Sequence, residues 1–233
     1  MSSLRQRRVT LVSIVVIVIA VATVVYDGSY QVKPVNRTPT QSTESDNKTL
    51  ASNVLATLPV KGRAPKTGYT REQFGDGWQI QNGCDTRNII LARDLTGVKS
   101  NDQCQVVSGT LVDPYTGTLI NFVRGPLTSA AVQIDHVVAL SNAWQTGAQQ
   151  LDFEKRVMLA NDPLELLAVD GPANQQKGDG DAATWLPANK SFRCQYVARQ
   201  LAVKMKYQLW LTSPEKQAME RILVRCPQQK IPG

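Results

Sequence analysis

The chain has 233 residues, of which 42% are hydrophobic and 19% are charged. These values are typical of a globular protein with one or two domains and exclude the composition classes of disordered and fibrous chains. The formal net charge of +7 is a moderate basic bias, which is compatible with a polyanionic partner but too small to establish one.

The N-terminal residues predict export. Residues 1–8 carry three arginines and no acid, and residues 9–26 are uncharged and mostly aliphatic. In a helix, eighteen residues span roughly 27 Å, close to the thickness of a bilayer core. The positive flank predicts a cytoplasmic N-terminus with everything after Asp27 outside. Two alternatives stay open: a transmembrane signal anchor, which we favour because the apolar run is long, and a signal peptide cleaved near residues 20–22.

Either alternative gives the same location for the rest of the chain: a single-pass membrane protein with its C-terminal domain outside, or a secreted protein. Residues 27–52 are rich in Ser, Thr, Asn, Gln and Pro without apolar periodicity, which predicts a flexible polar linker. Residues 53–233 are long enough to form one domain with a hydrophobic core.

The first half of this domain is rich in turn signals. Residues 89–95 predict a short helix. Residues 109–112 and 118–123 flank the Asp113-Pro-Tyr-Thr-Gly117 turn and predict the two strands of a hairpin.

The second half starts with β-branched residues, which predict a strand over residues 132–138. Apolar periodicity predicts a helix over residues 141–160. Residues 164–169 read as a second strand, followed by a turn and a short helix that begins near Pro172 and carries Asn174 and Lys177.

Two C-terminal helices are expected, over residues 191–209 and 214–225. Ser213 is the expected N-cap of the second helix, with Pro214 in its first turn. Cys194 and Cys226 are well placed to join the two helices as an antiparallel pair.

The cysteines are Cys84, Cys104, Cys194 and Cys226, an even number in a chain with export signals, so disulfides are expected. Of the three possible pairings we favour Cys84 with Cys104 and Cys194 with Cys226, because each closes a modest loop. Each such loop stabilises the fold by about 3 kcal/mol in the chain-entropy estimate. A zinc site is disfavoured, because no cysteine pair has close ligand spacing and the single histidine lies elsewhere.

That histidine, His136, directly follows Asp135 on the predicted strand. A histidine is neutral near pH 7 and suits a general base, and the oxygens of Asp135 and Asn174 suit Mg²⁺. Neighbouring strand residues point to opposite faces, so Asp135 and His136 share one site only if the strand bends or ends there. The alternative interpretation is a packed histidine beside a turn aspartate.

Two longer runs carry a specific resemblance. IDHVVALSNAW and ANDPLELLAVDGPANQQKGDGDAATWLPANKSFRC closely resemble the HNH endonucleases related to the C-terminal domain of GmrSD restriction enzymes, a branch of the His-Me finger or ββα-metal nucleases. GCDTRNIILARDL and LVDPYTGTLINF extend the resemblance over most of residues 65–225. It implies an α+β domain with a ββα-metal core and additional helices.

The resemblance also implies roles for individual residues. His136 is the general base, and Asp135 and Asn174 hold Mg²⁺ or Mn²⁺. Lys177, one helical turn after Asn174, lies near the scissile or an adjacent phosphate.

This chain departs from the family where an asparagine usually precedes the second strand, because Glu165 stands there. Three roles are open for Glu165: it holds the His136 ring and raises its pKa, it binds the metal, or it lowers activity. Asn161, four residues earlier, is a candidate for the orienting role.

Arg87 and Arg193 are candidates for gripping phosphate through their forked donors, and a structural ion pair is an equally open reading for each.

These observations predict an exported, metal-dependent endonuclease that cuts DNA, and as an open alternative RNA, without a small-molecule organic cofactor. Little sequence preference is expected, because no helix-turn-helix or finger-like reader is visible and recognition rests on phosphates. The alternative from another class is a catalytically inactive, surface-anchored module that binds polyanions on an HNH scaffold.

Overall fold

Helices alternate with short antiparallel strands along residues 49–232, the part of the chain that the computed structural model describes. The predicted basic flank, the apolar segment and most of the predicted linker lie outside these residues. Within residues 49–232 no helix is long and apolar enough to span a membrane. The mixed α+β class expected from the sequence is confirmed.

The α-helices of the described residues are α1 (Ala51–Thr57), α2 (Thr86–Asp94), α3 (Leu140–Gln145), α4 (Phe153–Ala160), α5 (Gly171–Lys177), α6 (Arg193–Lys206) and α7 (Ser213–Leu223). The strands are β1 (Ile80–Gln81), β2 (Cys84–Asp85), β3 (Thr96–Ser100), β4 (Val106–Val112), β5 (Leu119–Val123), β6 (Val132–His136) and β7 (Leu166–Asp170). The short 3₁₀ helices are Arg71–Phe74, Ser129–Ala131, Ala148–Gln150 and Lys190–Phe192.

The strands form three small antiparallel sheets, β1-β2, β3-β4-β5 and β6-β7. The expected hairpin is present as β4 and β5, paired from Ser108↔Val123 to Val112↔Leu119. β6 pairs with β7 from Val132↔Asp170 to His136↔Leu166, and α5 follows β7 without a break. The antiparallel pair β6-β7 is therefore followed directly by α5, whereas α3, a 3₁₀ turn and α4 lie between β6 and β7 in the chain.

β7 lies in the core because both of its faces are apolar. Leu166 and Ala168 belong to the same buried cluster as Ile134, whereas Leu167 and Val169 belong to a second buried cluster. Alternate residues of a strand point to opposite faces, so a continuous apolar run buries both. The β6-β7 pair therefore joins the two clusters and gives a fixed frame for the residues at its ends.

The single helix expected over residues 141–160 is wrong. The chain forms α3, a 3₁₀ turn and α4, and the break lies at Gly147, which has a φ of 132°. A Cβ atom at this position would lie 3.2 Å from the Trp210 ring. Glycine is favoured in such a conformation, and Asp152 restarts the helix by accepting a hydrogen bond from the Lys155 amide at 2.8 Å.

The C-terminal helices are α6 and α7, but the expected N-cap at Ser213 is corrected to Thr212. The Thr212 hydroxyl accepts a hydrogen bond from the Glu215 amide, and the Glu215 carboxylate accepts one from the Thr212 amide. This reciprocal pair is a capping box. The Glu215 carboxylate also meets the buried ammonium of Lys204 at 3.0 Å, which ties the two helices together.

Both favoured disulfides are present, Cys84–Cys104 and Cys194–Cys226, so no cysteine is left for zinc in the described residues. The first holds β2 to the turn after β3. The second joins the first turn of α6 to the segment after α7.

The two ends of the described chain pair with each other. Leu50 and Lys230 form an antiparallel bridge, and the Ala51 amide donates to the Gln229 carbonyl at 2.8 Å. The Ile231 amide donates to the Thr49 carbonyl at 2.9 Å. The C-terminal segment is therefore fixed beside the start of α1.

Candidate active site

A polar cleft of about 320 Å³ lies at the end of β6, and Asp135 and His136 both line it. Asp135 and His136 can share one site only if the strand bends or ends there, and β6 does end at His136. Asn174, from α5, lines the same cleft. The structure therefore brings together the three residues expected to act as base and metal ligands.

The ring of His136 is held on two sides. Its Nε2 atom lies 3.0 Å from the Ala160 carbonyl oxygen, and the Trp78 ring stacks on it at 5.8 Å between centroids, with an interplanar angle of 7°. A carbonyl oxygen only accepts, so Nε2 carries the proton in this contact. In neutral imidazole Nδ1 then has the free lone pair, and it is the atom that can take a proton.

The pKa of His136 is lowered from 6.5 to about 3. Burial is the largest cause, since it penalises the charged ring, and the positive charge of Arg71 is the next. The Ala160 carbonyl opposes the shift, and Lys177 adds to it. The ring is therefore neutral at neutral pH, as a general base must be.

Asp135 lies among donors that occupy both of its oxygens. Lys177 donates from Nζ to Oδ1 at 2.8 Å, and the Tyr115 hydroxyl donates to Oδ2. Lys177 also donates to the His136 carbonyl at 2.7 Å. Because only 3% of Lys177 is exposed, its ammonium is directed at the protein and not at the cleft surface, which corrects the expected phosphate contact.

The turn between β4 and β5 forms one wall of this network. Asp113 is fully buried, and its Oδ1 atom accepts a hydrogen bond from the Asp170 amide at 2.9 Å, while Oδ2 accepts from the Thr116 amide at 2.7 Å. Tyr115 follows Asp113 by two residues and reaches Asp135. The hairpin turn therefore positions the tyrosine that holds the candidate metal ligand.

Helix α5 positions Asn174. Asp170 caps the helix by accepting from the Ala173 amide at 2.8 Å. A Cβ atom on Gly171 would lie only 2.1 Å from the Ala130 carbonyl oxygen, so only glycine allows the helix to approach so closely. The Asn174 amide nitrogen donates to Gln133 Oε1 at 2.9 Å, which leaves the amide oxygen for another ligand.

The donor set in the cleft fits a hard divalent cation. Asp135 supplies a carboxylate that is held by other donors, as metal-binding carboxylates usually are, and Asn174 supplies an amide oxygen. Residues 49–232 contain no cluster of three or more His, Cys, Asp or Glu side chains that suits a metal. Asp135 and Asn174 are the cleft residues that would hold such a cation.

Glu165 does not hold the His136 ring, and the pKa of that ring is lowered rather than raised. The side-chain carboxylate of Glu165 accepts a hydrogen bond from the Val138 amide at 3.2 Å. The backbone carbonyl of Glu165 accepts one from the Val137 amide at 2.9 Å. Glu165 therefore fixes the loop that follows His136. The side chain is fully buried, and this burial raises the pKa of its carboxyl well above the usual value.

Asn161 does not contact the His136 ring but holds the chain next to Trp78, which stacks on that ring. Its Oδ1 atom accepts from the Gln79 amide at 2.9 Å, and its Nδ2 atom donates to the Val157 carbonyl at 3.1 Å. Gln79 follows Trp78, the residue stacked on His136. Asn161 thus anchors the segment that covers the ring, and Ala160 makes the direct contact.

Arg71 is the cleft residue that the sequence argument missed. It lies in a 3₁₀ helix, is exposed, and lines the cleft beside His136. Arg87 and Arg193 lie elsewhere: Arg87 Nη2 is 3.4 Å from the Val132 carbonyl oxygen, and Arg193 Nε donates to the Pro187 carbonyl at 2.7 Å. No sequence signal marked Arg71, because it is distant in sequence from both strands.

The chain is similar in sequence to a known family and to a secreted protein. The family of GmrSD restriction endonucleases, C-terminal domain, matches residues 85–222. An uncharacterized secreted protein from Arthroderma benhamiae (strain ATCC MYA-4681 / CBS 112371) is 36% identical over 178 residues, which are 76% of this chain and 84% of that protein. No solved structure matches the chain. The family match covers more than half of the sequence and includes β6, β7 and α5. The chain therefore belongs to the family of GmrSD restriction endonuclease C-terminal domains.

Proposed function

We propose that this protein is an exported, metal-dependent endonuclease that hydrolyses phosphodiester bonds in DNA or RNA with little sequence preference. The family supports a nuclease, and the similarity to a secreted protein of Arthroderma benhamiae supports secretion. The observation that carries the proposal is the neutral His136, whose Nε2 proton is committed to Ala160 while Nδ1 is left as the basic atom.

In this proposal His136 Nδ1 takes a proton from water as the water oxygen attacks phosphorus. The bond from phosphorus to the leaving sugar oxygen breaks, and a second water supplies the proton for that oxygen. A histidine with a pKa of about 3 is a weak base in the free protein. An anionic phosphate in the cleft favours the protonated ring, so substrate binding raises the pKa and strengthens the base.

Asp135 and Asn174 would hold a divalent cation, which supplies positive charge for the phosphate and the leaving oxygen. Arg71 supports the same purpose, since its guanidinium group lines the cleft and binds phosphate through paired donors. Trp78, Ala160 and Glu165 act indirectly, by holding the ring of His136 or the loop that follows it.

The test is cleavage of supercoiled plasmid and of a labelled RNA by the purified, oxidised full chain in detergent, with Mg²⁺, with Mn²⁺ and with EDTA. We expect metal-dependent cutting that falls by about 10²- to 10⁴-fold in His136→Ala, the usual contribution of a general base. Gln175→Ala is a matched control, because Gln175 lines the cleft without a proposed role. No cutting of either nucleic acid by a folded wild-type chain would refute the proposal and favour a polyanion-binding module.

A further inference from the structure

A chain segment rich in exposed cations ends at the cleft. Residues 59–71 contain Lys61, Arg63, Lys66 and Arg71 and no acidic residue, and all four basic residues are exposed. Except for its last residue, where a 3₁₀ helix begins, the segment lies outside helices and extended strands. The last cation of the segment, Arg71, lines the cleft that contains His136.

The backbone of this segment is fixed to the body of the domain. Hydrogen bonds anchor it at several points, with the donor first: Lys61 N to Leu211 O at 3.0 Å, Trp210 Nε1 to Gly62 O at 3.0 Å, Ala64 N to Gln145 O at 2.9 Å, and Trp144 Nε1 to Thr67 O at 3.3 Å. The backbone therefore needs no further ordering on binding, and only the side chains of the cations lose conformational freedom.

Two of the cations also contact the loop that follows α5. Arg63 pairs with the buried Asp181 at 2.7 Å, and Lys66 pairs with Asp179 at 3.1 Å. Both partners of the Lys66 pair are about half exposed, so the pair contributes little stability and a phosphate can replace the carboxylate. Asp179 itself lines the cleft, so Lys66 lies at its rim.

We propose that Lys61, Arg63, Lys66 and Arg71 form a phosphate track that binds one strand of a nucleic acid and leads it to His136. The inference rests on the proposed function and names how its substrate is bound. From residue 61 to residue 71 an extended chain spans at most about 35 Å, while phosphates of one strand are about 3.4 Å apart along a duplex. This upper limit allows the four cations to contact several consecutive phosphates.

Contacts between cations and phosphates carry no sequence information, so such a track supplies affinity without sequence preference. Each phosphate contact releases counterions, and the slope of log affinity against log salt concentration is about 0.7 to 0.9 per contact. Loss of cations from the track must therefore lower both the affinity and its dependence on salt.

The experiment measures binding of a fluorescent 20-nucleotide strand and of the matching duplex by anisotropy, with the full chain in detergent and EDTA. The track variant is Lys61→Gln/Lys66→Gln/Arg71→Gln, and Arg63 is kept because it pairs with the buried Asp181. The matched control, Lys99→Gln/Arg221→Gln/Arg225→Gln, removes the same charge from other exposed positions.

We expect the track variant to bind at least 10-fold more weakly at about 0.1 M salt, with a salt slope smaller by about two, and the control to bind within twofold of the wild type. Equal weakening in both variants, or none in the track variant, overturns the proposal. If the triple variant fails to fold, Lys61→Gln and Lys66→Gln singly must each lower the slope by about 0.7 to 0.9.

Binding in EDTA requires no turnover, so the two proposals fail separately. A wild-type chain that cuts nucleic acid while the track variant binds unchanged overturns the track alone. A folded wild-type chain that never cuts, but binds through these cations, overturns the endonuclease and leaves the track in place.

Discussion

Lys177 forms a buried ion pair with Asp135, in which Nζ lies 2.8 Å from Oδ1 and the lysine side chain has no exposed surface. The candidate metal ligand thus carries its own counter-charge inside the protein. A buried pair costs desolvation, but loss of one partner costs more, because the other charge is left uncompensated.

We therefore expect Lys177→Met to lower the free energy of unfolding by about 3 to 5 kcal/mol. Asp135→Asn/Lys177→Met removes both charges and should be less destabilised than the sum of the two single changes. Urea unfolding of the oxidised full chain in EDTA measures all four members of this cycle. Additive single effects would show that the two charges are not coupled.

Metal binding can be measured apart from catalysis. We expect Mn²⁺ to bind the wild-type chain in calorimetry and to raise its melting temperature, because a ligand that binds the folded state stabilises it. Asn174→Ala removes the proposed amide ligand and should weaken binding at least 10-fold. Gln175→Ala, from the same cleft, is the control, and equal Mn²⁺ affinity in both variants would remove Asn174 from the metal site.

Glu165 gives a pH dependence with a defined sign. Burial raises the pKa of its carboxyl well above 4.5, so above pH 4.5 the unfolded chain loses a proton that the folded chain keeps. The free energy of unfolding then falls by up to about 1.4 kcal/mol per pH unit until the folded-state pKa is reached. Glu165→Gln removes this fall and retains an acceptor for the Val138 amide.

The variant should therefore gain stability relative to the wild type as the pH rises from 5 to 8, measured by urea unfolding in EDTA. His136 acts in the opposite sense, because its folded-state pKa of about 3 lies below 6.5 and stability is lost as the pH falls through that window. A difference between variant and wild type that stays constant with pH contradicts the buried, protonated Glu165.

The disulfides should contribute comparable stability. Cys84–Cys104 spans 20 residues and Cys194–Cys226 spans 32, and the chain-entropy estimate gives about 3.3 and 3.7 kcal/mol for loops of these lengths. Replacing one pair at a time by serine should lower the free energy of unfolding by about these amounts. Unchanged stability after removal of either pair would mean that its loop is already restricted in the unfolded chain.

Local signals predicted most of the framework. β-branched runs marked β6 and β7, and the proline after Asp170-Gly marked α5, so both strands and the helix could be located from the sequence. The break at Gly147 was missed, because its cause is the ring of Trp210, which packs against it from 63 residues further along the chain. The spacing of apolar residues along residues 141–160 does not reveal such a distant contact.

Within the site, residue types and spacing indicated which side chains meet but not how deep they lie. Lys177 lies one turn after Asn174, so the sequence placed both residues on the same side of α5. The burial of Lys177 depends on Tyr115 and Asp135, which come from other elements. Arg71 could not be predicted, because a single exposed arginine at the start of a short 3₁₀ helix belongs to no periodic pattern. The single histidine was informative because Asp135, which lines the same cleft, is its neighbour in sequence.

The paired chain ends have a mechanical consequence. A force applied at residue 49 acts on the Leu50–Lys230 bridge next to it. Cys226 lies four residues before Lys230 and forms a disulfide with Cys194. The load then passes through a covalent bond to Cys194 and into α6, whose buried face belongs to the core. A pull at residue 49 is thus shared between α1 and the C-terminal segment, which the disulfide links to α6.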